Sequence, residues 1–73
     1  MYRFLSIKPD GTSYSLTVPG YDLVDAFRRY RRGWWTPDAG DVAVYHKYEL
    51  VAWVLPAIDI ETGESVPMLK RWK

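Results

Sequence analysis

Residues 22–33 read Asp22-Leu23-Val24-Asp25-Ala26-Phe27-Arg28-Arg29-Tyr30-Arg31-Arg32-Gly33, and here the chain carries a helical rather than a strand-like period. Leu23, Ala26, Phe27 and Tyr30 recur at three- and four-residue intervals, so a helix puts them in one stripe. Arg28, Arg29, Arg31 and Arg32 fall together on the opposite arc. Asp22 is a good N-cap, because its carboxylate can accept from the backbone N–H groups of the first turn. The helix is expected to run to about Arg32, with Gly33 closing it at the C′ position. A helix with a single apolar stripe needs a second layer to bury it, and the flanking sequence supplies strands.

Upstream, Tyr2, Phe4, Leu5 and Ile7 approximate a period of two around Arg3 and Ser6. Lys8-Pro9-Asp10-Gly11-Thr12 is a turn in which Gly11 can take positive φ. The partner strand is Ser13 to Val18, where Tyr14, Leu16 and Val18 alternate with Ser13, Ser15 and Thr17. Pro19-Gly20 ends it.

Downstream, Thr36 to Asp41 is a loop by composition. Val42 to Tyr45 and Tyr48 to Leu55 read as two strands, joined by a tight turn around His46-Lys47 or continuous as one bent strand. Pro56 is expected to end the second or to place it at an edge. Ile58 to Ile60 and Ser65-Val66 flank Glu61-Thr62-Gly63-Glu64 as a short-armed hairpin. Residues 69–73 form either a frayed basic tail or part of a closing strand. The expected architecture is a single α+β domain spanning residues 1–73, a small antiparallel sheet in ββαβββ-like order packed against one helix.

A chain of 73 residues buries only about 60% of the surface that its unfolded form exposes, so large apolar side chains carry its stability. Four Trp, six Tyr and two Phe supply that area. Four Trp exceed what so small a core needs, and one or two are expected at the surface. Ten Lys and Arg against nine Asp and Glu exclude polyanion binding by bulk charge. Four of those bases nevertheless lie within Arg28 to Arg32, and Lys70, Arg71 and Lys73 close the chain. No run is long and apolar enough for a membrane span, and the expected location is the cytoplasm.

The inventory argues against an enzyme. With no Cys, thiolate catalysis and sulfur-based zinc sites are excluded. His46, the single histidine, has Glu49 as a potential orienting carboxylate but no nucleophile at a suggestive spacing. Asp38, Asp41 and His46 lack the dense carboxylate spacing of a calcium loop. Asp59, Glu61 and Glu64 read as solvated turn residues, with an acidic docking patch as the functional alternative. No catalytic residue, metal site or cofactor is assigned.

The residues suited to recognition are Arg28, Arg29, Arg31, Arg32, Trp34 and Trp35, joined by Lys70 and Arg71. Arginine binds carboxylate or phosphate bidentately and stacks on aromatic rings, and Arg and Trp dominate interface hot spots. A purely structural account is also available. Asp25 stands three and four residues before Arg28 and Arg29, the helical ion-pair spacing. Arg31 and Arg32 complement the helix dipole at its C-terminus, and either Trp can fold back over the helix. Arg31 and Arg32 lack an acidic partner at helical spacing, which favours recognition. The leading expectation is a monomeric protein-binding module that modulates a larger enzyme through the arginine face, an adjacent Trp and an exposed sheet edge. A nucleic-acid binder that joins Arg28–Arg32 to the Lys70–Lys73 bases comes second. A self-associating subunit using Val51 to Leu55 is the third reading.

Over its whole length this short, Cys-free, aromatic-rich chain without an enzyme motif resembles the small host-takeover proteins encoded by bacteriophages. Within that group it is similar to the Xanthomonas phage type that binds host RNA polymerase. The resemblance implies contact with the largest subunit of bacterial RNA polymerase, inhibition of initiation, suppression of termination and a host-cytoplasmic location. Anti-CRISPR proteins share the same general character, and they imply a different target.

Overall fold

The computed structural model describes residues 1–72; Lys73, the end of the expected basic tail, lies outside the described residues. Its elements follow the order β1 (Tyr2–Ile7), β2 (Ser13–Val18), α1 (Leu23–Gly33), a 3-10 turn (Pro37–Ala39), β3 (Val42–His46), β4 (Glu49–Ile58) and β5 (Ser65–Arg71). All five strands join one antiparallel sheet in the order β2-β1-β3-β4-β5. The α+β class and the ββαβββ order are therefore as expected.

The helix packs on one face of the sheet. Leu23, Ala26, Phe27 and Tyr30 form its buried stripe and meet Phe4, Val18, Val42, Val44, Ala52 and Val54 in a single apolar cluster. Tyr30 stacks on Phe4 with ring centroids 4.3 Å apart. Burial pushes the Tyr30 hydroxyl above its ordinary pKa. The entry to the helix is equally close. A Cβ at Gly20 would lie 2.7 Å from the Ala26 backbone nitrogen, so glycine lets the chain turn tightly off β2.

Several local expectations shift. Gly33 is the last helical residue rather than C′; the cap is Trp34 at φ −132°, whose N–H donates to the Tyr30 carbonyl at 2.9 Å. The β3–β4 turn is centred on Lys47-Tyr48, one residue later than expected. Their φ values of 51° and 66° make it the mirror-image turn that matches strand twist, normally built from Asn-Gly. Pro56 does not end β4, which runs on to Ile58; the β3 pairing stops at Val54, so Pro56 lies where that side of the strand is an open edge. Trp72 N–H donates to the Val51 carbonyl and Asp59 N–H to the Glu64 carbonyl, so odd residues of β4 carry the hydrogen bonds to β5. Pro56 and Pro67 face each other at a pair between those bonds, where neither ring removes a needed donor. The closing hairpin is accordingly long-armed, and residues 69–71 belong to β5 rather than to a frayed tail.

The apolar assignment also moves in the first hairpin. Ser6, rather than Ile7, is buried on β1, and Ile7 is 61% exposed. On β2 only Val18 is fully buried, with Leu16 partly covered and Tyr14 exposed, because β2 is an edge strand that the helix overlies at one end.

Candidate partner-binding surface

The arginine arc stands on the solvent side of α1, with Arg28, Arg29, Arg31 and Arg32 all exposed. The start of the helix is fixed by two aspartates. Asp22 accepts from the Asp25 N–H at 2.9 Å, and the Asp25 carboxylate accepts from the Tyr21 N–H at 3.0 Å and from Arg29 Nε at 3.3 Å. The Tyr21 N–H, and after it the charges of Arg29 and Arg28, hold the Asp25 carboxyl below the usual carboxylate range. The expectation that Asp25 pairs with both arginines is corrected: it reaches Arg29, and Arg29 is the member of the arc that is ion-paired among the described residues. Arg31 and Arg32 sit in the last helical turn, where the dipole favours cations.

The two tryptophans separate. Trp35 packs against the core cluster, and its indole Nε1 is buried with no acceptor among the described residues. Trp34 is 47% exposed and, with Arg29, Arg32, Gly33, Val18 and Pro19, lines a groove of about 290 Å³ between the end of α1 and the end of β2. Of the segment singled out in the sequence, Arg29, Arg32 and Trp34 are thus brought together. Lys70 and Arg71 are not: they lie on β5, at the opposite edge of the sheet, and Lys70 projects from the face away from the helix. A continuous basic surface joining them to the arginine arc does not form.

The sheet edge beside the groove carries a second recognition feature. Lys8 N–H donates to the Thr12 carbonyl at 2.8 Å, so the β1–β2 hydrogen bonds fall on even residues of β2. The N–H and C=O groups of Ser13, Ser15 and Thr17 therefore point outward along an edge without charge or proline. The alternation in Ser13–Val18 was legible, but edge position depends on long-range pairing.

The remaining candidates acquire structural roles. His46 stacks on Tyr2 with centroids 4.6 Å apart, at the end of β3 away from Asp41. Asp59 shapes the acidic hairpin: its carboxylate accepts from the Glu61 N–H at 2.9 Å, while Gly63 turns at φ 74°.

Comparison with known proteins adds no family. No family model, curated protein or solved structure matches the chain. Among the described residues, no helix is long and apolar enough to cross a membrane.

A further surface extends the Val51 to Leu55 stretch that the sequence offered for self-association. Opposite the helix, Leu5, Ile7, Trp53, Leu55, Met68 and Trp72 share the second face of the sheet, as their strand parity and cross-strand partners require. The signal was present in Val51 to Leu55, where both parities are apolar, as in a strand covered on both faces.

Proposed function

We propose that this chain is a protein-binding module that captures a segment of a larger partner by strand addition to β2. The observation that carries this reading is the uncharged, proline-free edge of Ser13, Ser15 and Thr17 alongside the Trp34, Arg29 and Arg32 groove. Backbone pairing supplies affinity without demanding a sequence. Side chains of the added strand that turn toward the helix meet Trp34, an aromatic anchor, and two guanidiniums suited to acidic groups. The resemblance to phage host-takeover proteins names the first partner to test, the largest subunit of bacterial RNA polymerase, with a host-cytoplasmic site of action.

The test is direct binding of the purified protein to RNA polymerase core and to that isolated subunit. Ser15→Pro removes an outward N–H without touching the β1 ladder, and Trp34→Ala empties the anchor. Each should weaken binding by at least about tenfold, or about 1.4 kcal/mol, with an unchanged thermal midpoint. Should Ser15→Pro disturb folding, Thr17→Glu places a charge on the same edge and serves in its place. Unchanged affinity in both an edge variant and Trp34→Ala would overturn the proposal. Binding to generic DNA that falls steeply with salt and depends on the arginines would favour a nucleic-acid partner instead.

A further inference from the structure

The face of the sheet opposite α1 is covered by neither the helix nor the 3-10 turn, whose Ala39 belongs to the Phe4 side. An antiparallel sheet with one face in water normally shows polar residues there. β2 obeys that rule, presenting Ser13, Ser15 and Thr17. The other four strands do not: cross-strand neighbours on this face include Leu5 with Ala43, Ala43 with Trp53, and Leu55 with Met68. Ile7, Met68 and Trp72 are each roughly half exposed or more. The apolar patch therefore has a boundary, between β1 and β2, as an interface does and a randomly uncovered sheet does not.

The two ends of the same face carry opposite charge. β1, the start of β3 and the end of β4 bring the Lys8–Thr12 and Asp59–Glu64 hairpins to one end. There Asp10, Asp41, Asp59, Glu61 and Glu64 outnumber Lys8. The other end holds the N-terminal amine, Arg3 and Lys47. Lys70 sits within the patch on edge strand β5, from which its long stem can carry the ammonium past the edge to water.

We propose that this face binds a second copy of the chain, the two sheets packed face to face about a twofold axis that runs across the strands. That axis reverses the strand direction and sets the acidic hairpin end of each copy over the Arg3 and Lys47 end of the other. An axis along the strands would instead stack like charges. Four strands about 4.8 Å apart, each contributing about five residues at about 3.3 Å, give a flat footprint of roughly 300 Å². So small an interface predicts a dimer in the micromolar range rather than an obligate one. Both β2 edges remain free at its margins. The dimer is independent of the partner-binding reading above and would make that binding bivalent.

Sedimentation velocity and light scattering across micromolar to millimolar protein test this at low and physiological salt. The expected result is a concentration-dependent dimer that Met68→Lys and Ile7→Lys convert to a monomer with an unchanged far-UV spectrum. Glu61→Lys with Glu64→Lys should weaken self-association by at least about tenfold. Mixing that variant with Arg3→Glu, Lys47→Glu should recover a heterodimer. A monomer at all concentrations, or dimers indifferent to Met68→Lys and Ile7→Lys, would overturn the proposal. Failure of the mixed charge variants to associate would overturn the reversed arrangement.

Discussion

The two faces of the sheet are woven from the same strands and meet different fates. On β1, Phe4 is sealed beneath Tyr30, while the adjacent Leu5 and Ile7 point to a face that no other element covers. On β4, Ala52 and Val54 are fully buried, and Trp53 and Leu55, which alternate with them, are only partly so. Hydrophobicity per residue does not distinguish the two sets. What distinguishes them is α1, whose single stripe is wide enough for one face. An apolar residue on the helix side is thus buried by α1, whereas most of those on the other side stay partly exposed.

The sharpest way to break the comparison is to truncate one residue on each face. Phe4→Ala removes a fully buried ring and its stacking partner, and should cost about 3–5 kcal/mol, enough to unfold much of a domain this small. Ile7→Ser on the open face should change the stability of the monomer by no more than about 0.5 kcal/mol. Denaturant unfolding at low protein concentration measures both. Comparable losses would mean that the open face is part of the core.

A second comparison sets the β3–β4 turn against the turns built on glycine. Lys47 and Tyr48 both occupy the left-handed region, where a residue with a side chain costs about 1–2 kcal/mol relative to glycine. Tyr48 is 98% exposed, so nothing within the described chain compensates. Lys47→Asn with Tyr48→Gly should stabilise the monomer by about 1–2 kcal/mol, read as a higher denaturant midpoint with an unchanged slope. If the same change also weakens self-association, Tyr48 is held there by the interface at the basic end of the open face.

Smaller still is the effect of the one buried side-chain donor without an acceptor among the described residues. Trp35 closes the helix side of the core but leaves its Nε1 unsatisfied, a deficit worth about 1–3 kcal/mol. Trp35→Phe removes that deficit together with some buried area. The two effects offset, and the thermal midpoint should move little. A large loss would show that the indole edge itself is needed for packing.

How much of this was legible follows from the range of each interaction. The helix, its Asp22 cap, its buried stripe and the first hairpin rest on neighbours within a few residues, and these matched. Sheet order did not announce itself, since β1 pairs with both β2 and β3 across a helix and a loop. Without that order, Ile7 reads with the apolar set of β1, Pro56 as a strand end or an edge, and no strand can be named as the edge beside the helix. The recognition segment was found by composition, yet its division required coordinates: Arg29, Arg32 and Trp34 converge because β2 ends beside them, while Trp35 turns inward. Of the open face only Val51 to Leu55 was legible, as a stretch for self-association, because the parts that β1 and β5 add to it depend on sheet order.

Acid offers the mildest way to probe the difference between the faces, because it acts on the element that creates it. The Asp25 carboxyl lies below its ordinary pKa, first through the Tyr21 N–H and then through Arg29 and Arg28. A depressed folded pKa contributes stability that is present above the unfolded carboxylate value, about 3.9, and is lost as pH falls through the lower folded value. Asp10 is depressed in the same direction by the Thr12 hydroxyl and N–H, but in the β1–β2 hairpin rather than on the helix. Falling pH should therefore loosen the start of α1 and, through it, the cover over Phe4 and Val18. Both groups are solvent-exposed, so the change is small. Asp25→Asn should flatten the acid loss of stability and of helical far-UV signal, whereas Asp10→Asn should flatten the first without the second. If Asp25→Asn leaves the acid limb of the helical signal unchanged, the Tyr21 and Arg29 contacts do not anchor the helix that makes one face of the sheet a core.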